Sequence, residues 1–463
     1  MKKLLCCLLL FLPLAAHASA LDGAGLGLAW GLPFAGILLS IALMPMLAED
    51  LWHGHFGKIV ASLTAAFLLP FAARFGLLQA GSLVAHALLT EYLPFLILLL
   101  ALYTLSGGIL LSGRLHATPW MNTRILALGV LLAPVMGTTG ASMLLIRPLL
   151  RANKGRHYKV HVVVFFIFLV ANIGGGLTPL GDPPLFLGFL NGVTFAWTFW
   201  HMLRPVLCAV AVLLAVFYLL DRHFFIKEGR PLHLDKPDAP LRVAGKINLL
   251  LLVLAIVAVL LSGVWKSGQT LNVLGVPLAL QDLVRDVSLV CLTGVSLWLT
   301  PHSVRAGNAF NWHPMAEVAK LFAGIFITIA PVIAMLKAGQ AGPLSALEQL
   351  VTHPSGSPAD AAYFWMTGLL SSLLDNAPTY LVFFNMASGD ARVLMGPLSS
   401  TLTAISMGAV FMGAMTYIGN APNFMIKTIA RHHRVDMPGF FGYALWSCAV
   451  LLPLFMLLTW LFF

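Results

Sequence analysis

The sequence predicts an all-α polytopic membrane protein built from two inverted-topology repeats, each carrying a re-entrant hairpin and a broken transmembrane helix. Three observations predict it. The first is composition: 59% of residues are hydrophobic, 10% are charged and the mean hydropathy is +0.91, where a soluble domain carries about 25% charged residues. The second is a duplicated motif, T-x-x-G-[DN]-[PA]-P. It reads Thr178-Pro179-Leu180-Gly181-Asp182-Pro183-Pro184 and, 238 residues later, Thr416-Tyr417-Ile418-Gly419-Asn420-Ala421-Pro422. The third is the placing of Lys and Arg along the chain, which fixes an orientation in the bilayer.

Residues 1–20 hold Lys2 and Lys3, an apolar run from Leu4 to Leu14 and the ending Ala18-Ser19-Ala20, the pattern of a secretory signal peptide that is cleaved. The run is short for ~30 Å of hydrocarbon; an uncleaved first helix is the other reading. The first repeat, 21–220, contains crossings near 26–48, 58–79 and 91–113, a hairpin over 122–150, a broken crossing over 160–190 and a crossing over 195–220. Residues 221–246, polar and carrying Pro231, Pro237 and Pro240, read as a cytoplasmic linker. The second repeat, 247–463, follows the same plan from the opposite side. Its crossings lie near 247–263, 286–301 and 317–336, its hairpin over 361–387, its broken crossing over 400–430 and its last crossing over 439–463. The C-terminus is then periplasmic.

The hairpins are inferred from charge. If 122–150 and 361–387 return to the side they came from, the inner loops gather Arg114, Arg124, Arg147, Arg151, Lys154, Arg156 and Lys159. They also take the basic linker residues and Lys427, Arg431 and Arg434, while the outer loops hold Lys266, Arg285, Lys337 and Arg392. A full crossing at 122–150 destroys this positive-inside bias. The net charge of +10 is therefore a topology signal and not a nucleic-acid footprint, which would need a basic face with interleaved aromatics on a soluble module. Of the five cysteines, Cys6 and Cys7 lie in the leader, and Cys208, Cys291 and Cys448 are isolated in apolar runs, where they pack as small hydrophobes.

Gly, Pro, Asp and Asn are poor residues for an uninterrupted membrane helix. Two such breaks in corresponding places point to the binding site of a secondary transporter, because freed N–H and C=O groups can hold ions there. The hairpin tips, Gly137-Thr138-Thr139-Gly140-Ala141-Ser142 and Ser371 to Thr379, obey the same shift, which lays Thr138 over Asn376. Asp182 and Asp375 fall near the bilayer midplane, where an ionised Asp costs at least ~2.5 kcal/mol. Beside hydroxyl and amide neighbours they suit Na⁺, or a proton when the cation leaves. The plainer alternative is that each Asp caps a half-helix whose first turn holds proline. Asn172, two turns before the first break, and Asn423, one turn past the second, face the same site in this reading.

An intramembrane protease would want a GxGD motif and a zinc enzyme H-E-x-x-H; the chain has neither, so no enzyme is expected. A channel suits two gates around a closed midplane site less well than alternating access does.

The segments GTTGAS, NIGGGLTPLGDPP, SSLLDNAP and YIGNAPN resemble the ion transporter superfamily, in the branch of NhaD-type sodium/proton antiporters, arsenite permeases and citrate transporters. The resemblance covers the mature chain and implies an elevator-type transporter, a homodimer with a scaffold part and a moving part, in a bacterial cytoplasmic (inner) membrane. It places cation or proton binding on Asp182, Asp375, Asn376, Asn172, Thr178 and Asn420. Thr138, Thr139, Gly140, Ser142, Gly181, Thr379, Thr416, Gly419 and Asn423 form the tips and breaks around it. A Na⁺ site is expected among Thr139, Asn172, Asp182, Asp375, Asn376 and Asn420, with no cofactor beyond Na⁺ and H⁺ as transported or coupling ions. The tips lack the Ser-Asn-Thr signature of the dicarboxylate branch. The expected activity is Na⁺/H⁺ antiport exporting Na⁺, with Na⁺-coupled citrate or other organic-anion uptake, or arsenite export, as alternatives.

Overall fold

The computed structural model describes residues 21–113, 115–229 and 242–463. The expected signal peptide and the centre of the linker, 230–241, lie outside the described residues. In chain order the helices begin with α1 (Leu32–Leu47), α2 (Glu49–Phe75), α3 (Leu77–His86), a π-helical stretch at Ala87–Tyr92 and α4 (Leu93–Gly107). Strand β1 (Leu110–Ser112), α5 (Pro119–Ala152), α6 (Val160–Leu169), α7 (Pro183–Leu190), α8 (Phe195–Lys227), β2 (Arg242–Ala244) and α9 (Ile247–Val264) follow. Next come β3 (Thr270–Val273), β4 (Val276–Ala279), α10 (Leu280–Leu299), α11 (His302–Gly307), α12 (His313–Thr328), α13 (Ala330–Lys337) and α14 (Ser345–Leu350). The chain closes with α15 (Asp360–Leu373), α16 (Asn376–Ala387), α17 (Ala391–Met395), α18 (Ser399–Met412), α19 (Ala421–His432) and α20 (Phe440–Phe462).

Among the described residues nine helices are long and apolar enough to cross a membrane, so the chain is a multi-pass membrane protein. Several boundaries differ from expectation: α2 begins at Glu49 and not near 58, and the helical run expected near 91–113 spans Leu77–Gly107. Helix α8 continues to Lys227, carrying Asp221 into a buried position because its carboxylate finds internal partners, so a run expected as linker is helix. Helix α10 starts at Leu280, not near 286, after the antiparallel hairpin β3–β4. That hairpin turns at Leu274 (φ 53°) and Gly275 (φ 83°), the two positive φ values a two-residue turn of this hand needs. Arg285 is thus inside α10, paired with Asp282 and Asp286.

The chain divides into two compact units. The first comprises residues 1–98, 258–289 and 312–348. Its core sets Phe67, Phe71, Ala80 and Ile327 against Trp30 and Leu83. The Phe67 and Phe71 rings meet Trp30 edge-on, the arrangement aromatic quadrupoles favour.

The second unit comprises 99–257, 290–311 and 349–463. At its centre α6 is buried from His161 to Leu169, as a helix apolar almost all round must be. Helix α5 turns back on itself at Gly137, whose backbone (φ 78°, ψ 153°) is non-helical and open to glycine alone without strain. The reversal is proved by its ends: Asn122 and Asn153, 31 residues apart, exchange side-chain hydrogen bonds of 3.0 and 2.9 Å, where a straight helix would separate them by ~46 Å. Helices α15 and α16 reverse in the same way at Leu374 and Asp375, both extended, which brings the rings of Tyr363 and Phe383 within 6.2 Å.

Candidate functional site

The second unit holds the site. Helix α6 ends at Leu169, the chain passes through a 3-10 turn at Ile173–Leu177, and α7 starts after Asp182. The matching course is α18, a 3-10 turn at Gly413–Met415, and α19 after Asn420. The duplicated residues make duplicated contacts. Thr178 Oγ1 donates to the carbonyl of Pro134 at 2.5 Å and Thr416 Oγ1 to that of Ser372 at 2.5 Å. Each bond ties a break to the hairpin before it. A Cβ on Gly181 would run into the carbonyl of Gly175, and one on Gly419 into those of Gly413 and Ser371, so both motif glycines are fixed by close backbone approach.

Between the breaks stands Asp182, 2% exposed. Its Oδ1 accepts from Thr138 Oγ1 and from Asn420 Nδ2, each at 3.1 Å. Its Oδ2 accepts from Asn376 Nδ2 at 2.6 Å. The first tip, the second tip and the second break thus converge on the carboxylate of the first break. The tip is also held by its backbone, Thr138 N–H donating to the Gly181 carbonyl at 2.9 Å. Asn420 Nδ2 also reaches the Asn172 Oδ1 (3.2 Å), and Asn172 Nδ2 donates to Asn423 Oδ1 (2.8 Å). Asn423 in turn donates to the carbonyls of Gly413 and Thr416 at 2.8 and 2.9 Å. Every donor to Asp182 is neutral; no Lys, Arg or His forms an ion pair with it among the described residues.

Other expected residues take supporting places. Asp375 does not join the hub: half-buried, it caps α16 by accepting from Ala377 N–H at 3.0 Å, although it is close enough to Asp182 for like-charge repulsion. Thr379 Oγ1 donates to the Asp375 carbonyl at 2.8 Å. Thr139 is half-buried and is not among the hydrogen-bond donors to Asp182. Gly140 packs under Ser106, and the buried hydroxyl of Ser142 has no hydrogen-bond partner among the described residues. Nor do three His, Cys, Asp or Glu side chains come together there as a transition-metal site would need. The donor set is oxygen and amide, which suits a hard monovalent ion or a proton.

Sequence reading missed a second buried network in this unit, at the base of the α5 hairpin. Asp221 accepts from Arg156 Nη2 at 2.8 Å, from Asn122 Nδ2 at 2.9 Å, and lies 2.8 Å from His161 Nε2. Glu228 takes Arg156 Nε at 3.2 Å and the backbone N–H groups of His157 and Tyr158. Part of the signal was present: a His inside an apolar run, His161, needs a partner.

A family model described as "Putative citrate transport" matches residues 23–463. Two uncharacterized transporters, from Mycobacterium bovis and Mycobacterium tuberculosis, are each 26% identical over 274 residues. Those alignments span 56% of this chain and 57% of each mycobacterial protein.

Proposed function

The chain belongs to the citrate-transport (CitMHS) family of secondary transporters, and from that premise we propose that it exchanges Na⁺ for H⁺, exporting Na⁺ across a bacterial cytoplasmic membrane, with Asp182 as the site both ions share. It is a transporter and not an enzyme. The observation that carries the exchange reading is a buried carboxylate ringed by Thr138, Asn376 and Asn420 with no cationic partner among the described residues. Such a carboxylate needs a counter-charge, and either a cation or a proton supplies it. The amides of Asn376 and Asn420 now donate; a half-turn of each brings an oxygen to the same place. With the Asp182 oxygens and Thr138 Oγ1 they then form an all-oxygen cage for Na⁺. Because one proton displaces one Na⁺, apparent Na⁺ affinity weakens as pH falls, by about tenfold per unit in the acid limit. All of these groups belong to one compact unit, which supports an elevator that moves the site as a body.

A second reading, cation-coupled uptake of citrate, is favoured by the family description and by the position of Asp375. Its charge is engaged by the N-terminus of its own helix, so one cation at Asp182 removes most of the repulsion a citrate trianion would meet. Proteoliposomes with an inside-acid pH gradient and an internal pH dye separate these readings. Dissipation by external Na⁺ or Li⁺ alone supports exchange. No response to those cations, with labelled citrate entering only in the presence of Na⁺, replaces exchange by symport, and a response to arsenite alone rejects both.

A further inference from the structure

The second arm of α5 and helix α19 both leave the Asp182 hub, one from Thr138 and the other from Asn420, and both end at one group of cations. Arg147 lies nine residues beyond Thr138, ~14 Å along the arm, and Arg151 one turn further. At the end of α19, His433 lies within the field of Arg147, Arg151, His432 and Lys159. Its imidazole pKa is held below the ordinary value, by partial burial first and by Arg147, Arg151 and the other neighbouring basic groups next.

The unit treats these cations unlike their neighbour Arg156, which is answered by both Asp221 and Glu228. Among the described residues no carboxylate pairs with Arg147, Arg151 or Lys159, and the buried Nη1 of Arg147 has no hydrogen-bond partner. Arg151 gives one bond, Nη2 to the Leu111 carbonyl at 2.9 Å, and keeps its other donors. A buried guanidinium nitrogen is ordinarily hydrogen-bonded. Two guanidiniums on successive turns of one arm present forked donors that match carboxylate or phosphate oxygens.

We propose that Arg147, Arg151, Lys159 and His433 form a binding site for an oxyanion, either a free tricarboxylate or the phosphate headgroup of an anionic lipid. The site goes beyond the exchange at Asp182 and does not rest on it. It puts an anion on the surface reached by the same two elements that build the cation hub, so its occupancy can bias the position of both.

The test is ligand-dependent thermal stabilisation of the full chain in neutral detergent after delipidation, titrated with citrate and, separately, with phosphatidylglycerol. Saturable stabilisation that weakens with salt is expected from at least one of them. Arg147→Gln should weaken it at least tenfold, and Arg147→Gln with Arg151→Gln should abolish it. Arg147→Lys keeps the charge without the fork and should lose several-fold, which serves if the Gln variants do not fold. Stabilisation by citrate alone assigns a free polycarboxylate; by the lipid alone, a headgroup. Binding that is retained in the arginine variants, or absent with both probes, overturns the site while leaving the exchange reading to its own flux test.

Discussion

Asp182, after the first break, and Asp375, at the second hairpin tip, each stand at the N-cap of a helix and do opposite things. Asp375 turns inward to its own chain and accepts from Ala377 N–H. Asp182 makes no such bond and instead collects three side chains from elsewhere in the unit. The difference lies in the two residues that follow. A capping side chain needs the N–H of the second or third helical residue, and after Asp182 the first two are Pro183 and Pro184, which have none. The third, Leu185, gives its N–H to the Asp182 carbonyl at 3.2 Å. After Asp375 the N–H of Ala377 is free to be taken. Asn420 repeats the Asp182 pattern: Pro422 fills the second position, its side chain makes no cap bond, and its amide goes to the hub. Proline after a cap residue thus releases the side chain for tertiary use.

The comparison breaks most sharply at Asp182. Asp182→Asn removes the charge and should reduce Na⁺-dependent flux at least a hundredfold, about 2.7 kcal/mol or more, with the protein still folded in the membrane. Near-normal flux in reconstituted vesicles would end the carboxylate mechanism. Pro184→Ala returns an N–H to the second position of α7 and offers Asp182 the bond that Asp375 makes. A competing hydrogen bond of about 1 kcal/mol should weaken apparent Na⁺ affinity by roughly fivefold, read from the concentration dependence of the same flux. The smallest effect belongs to Asp375→Asn. Asn caps about as well as Asp, so flux should stay within about twofold and the melting temperature should hardly move. A loss as large as that of Asp182→Asn would bring Asp375 back into the ion site.

Much of the candidate site was legible because it is written twice. The shift of 238 residues that aligns the motifs is the separation of Asp182 and Asn420, which touch. The same shift maps the bond of Thr178 to Pro134 onto that of Thr416 to Ser372, each spanning 44 residues. Asn172 and Asn423 were legible as polar residues near a break, but their mutual bond across 251 positions follows from no local pattern. The network of Asp221 with Arg156 and His161 was obscured because Asp221 sits where an apolar run turns polar, so composition assigned it to the linker.

The sequence by itself determined that the chain is membrane-embedded and where its helices break, because hydrocarbon penalises polar groups residue by residue and proline and glycine act on their own backbone. The reversal at Gly137 was also readable, from the charge its failure would place on the wrong side. Only the tertiary structure decided which aspartate collects the side chains of both hairpin tips and the second break. Both carboxylates had the same local grounds for a role, and the choice depended on where Thr138, Asn376 and Asn420 arrive once both hairpins have folded back on the breaks.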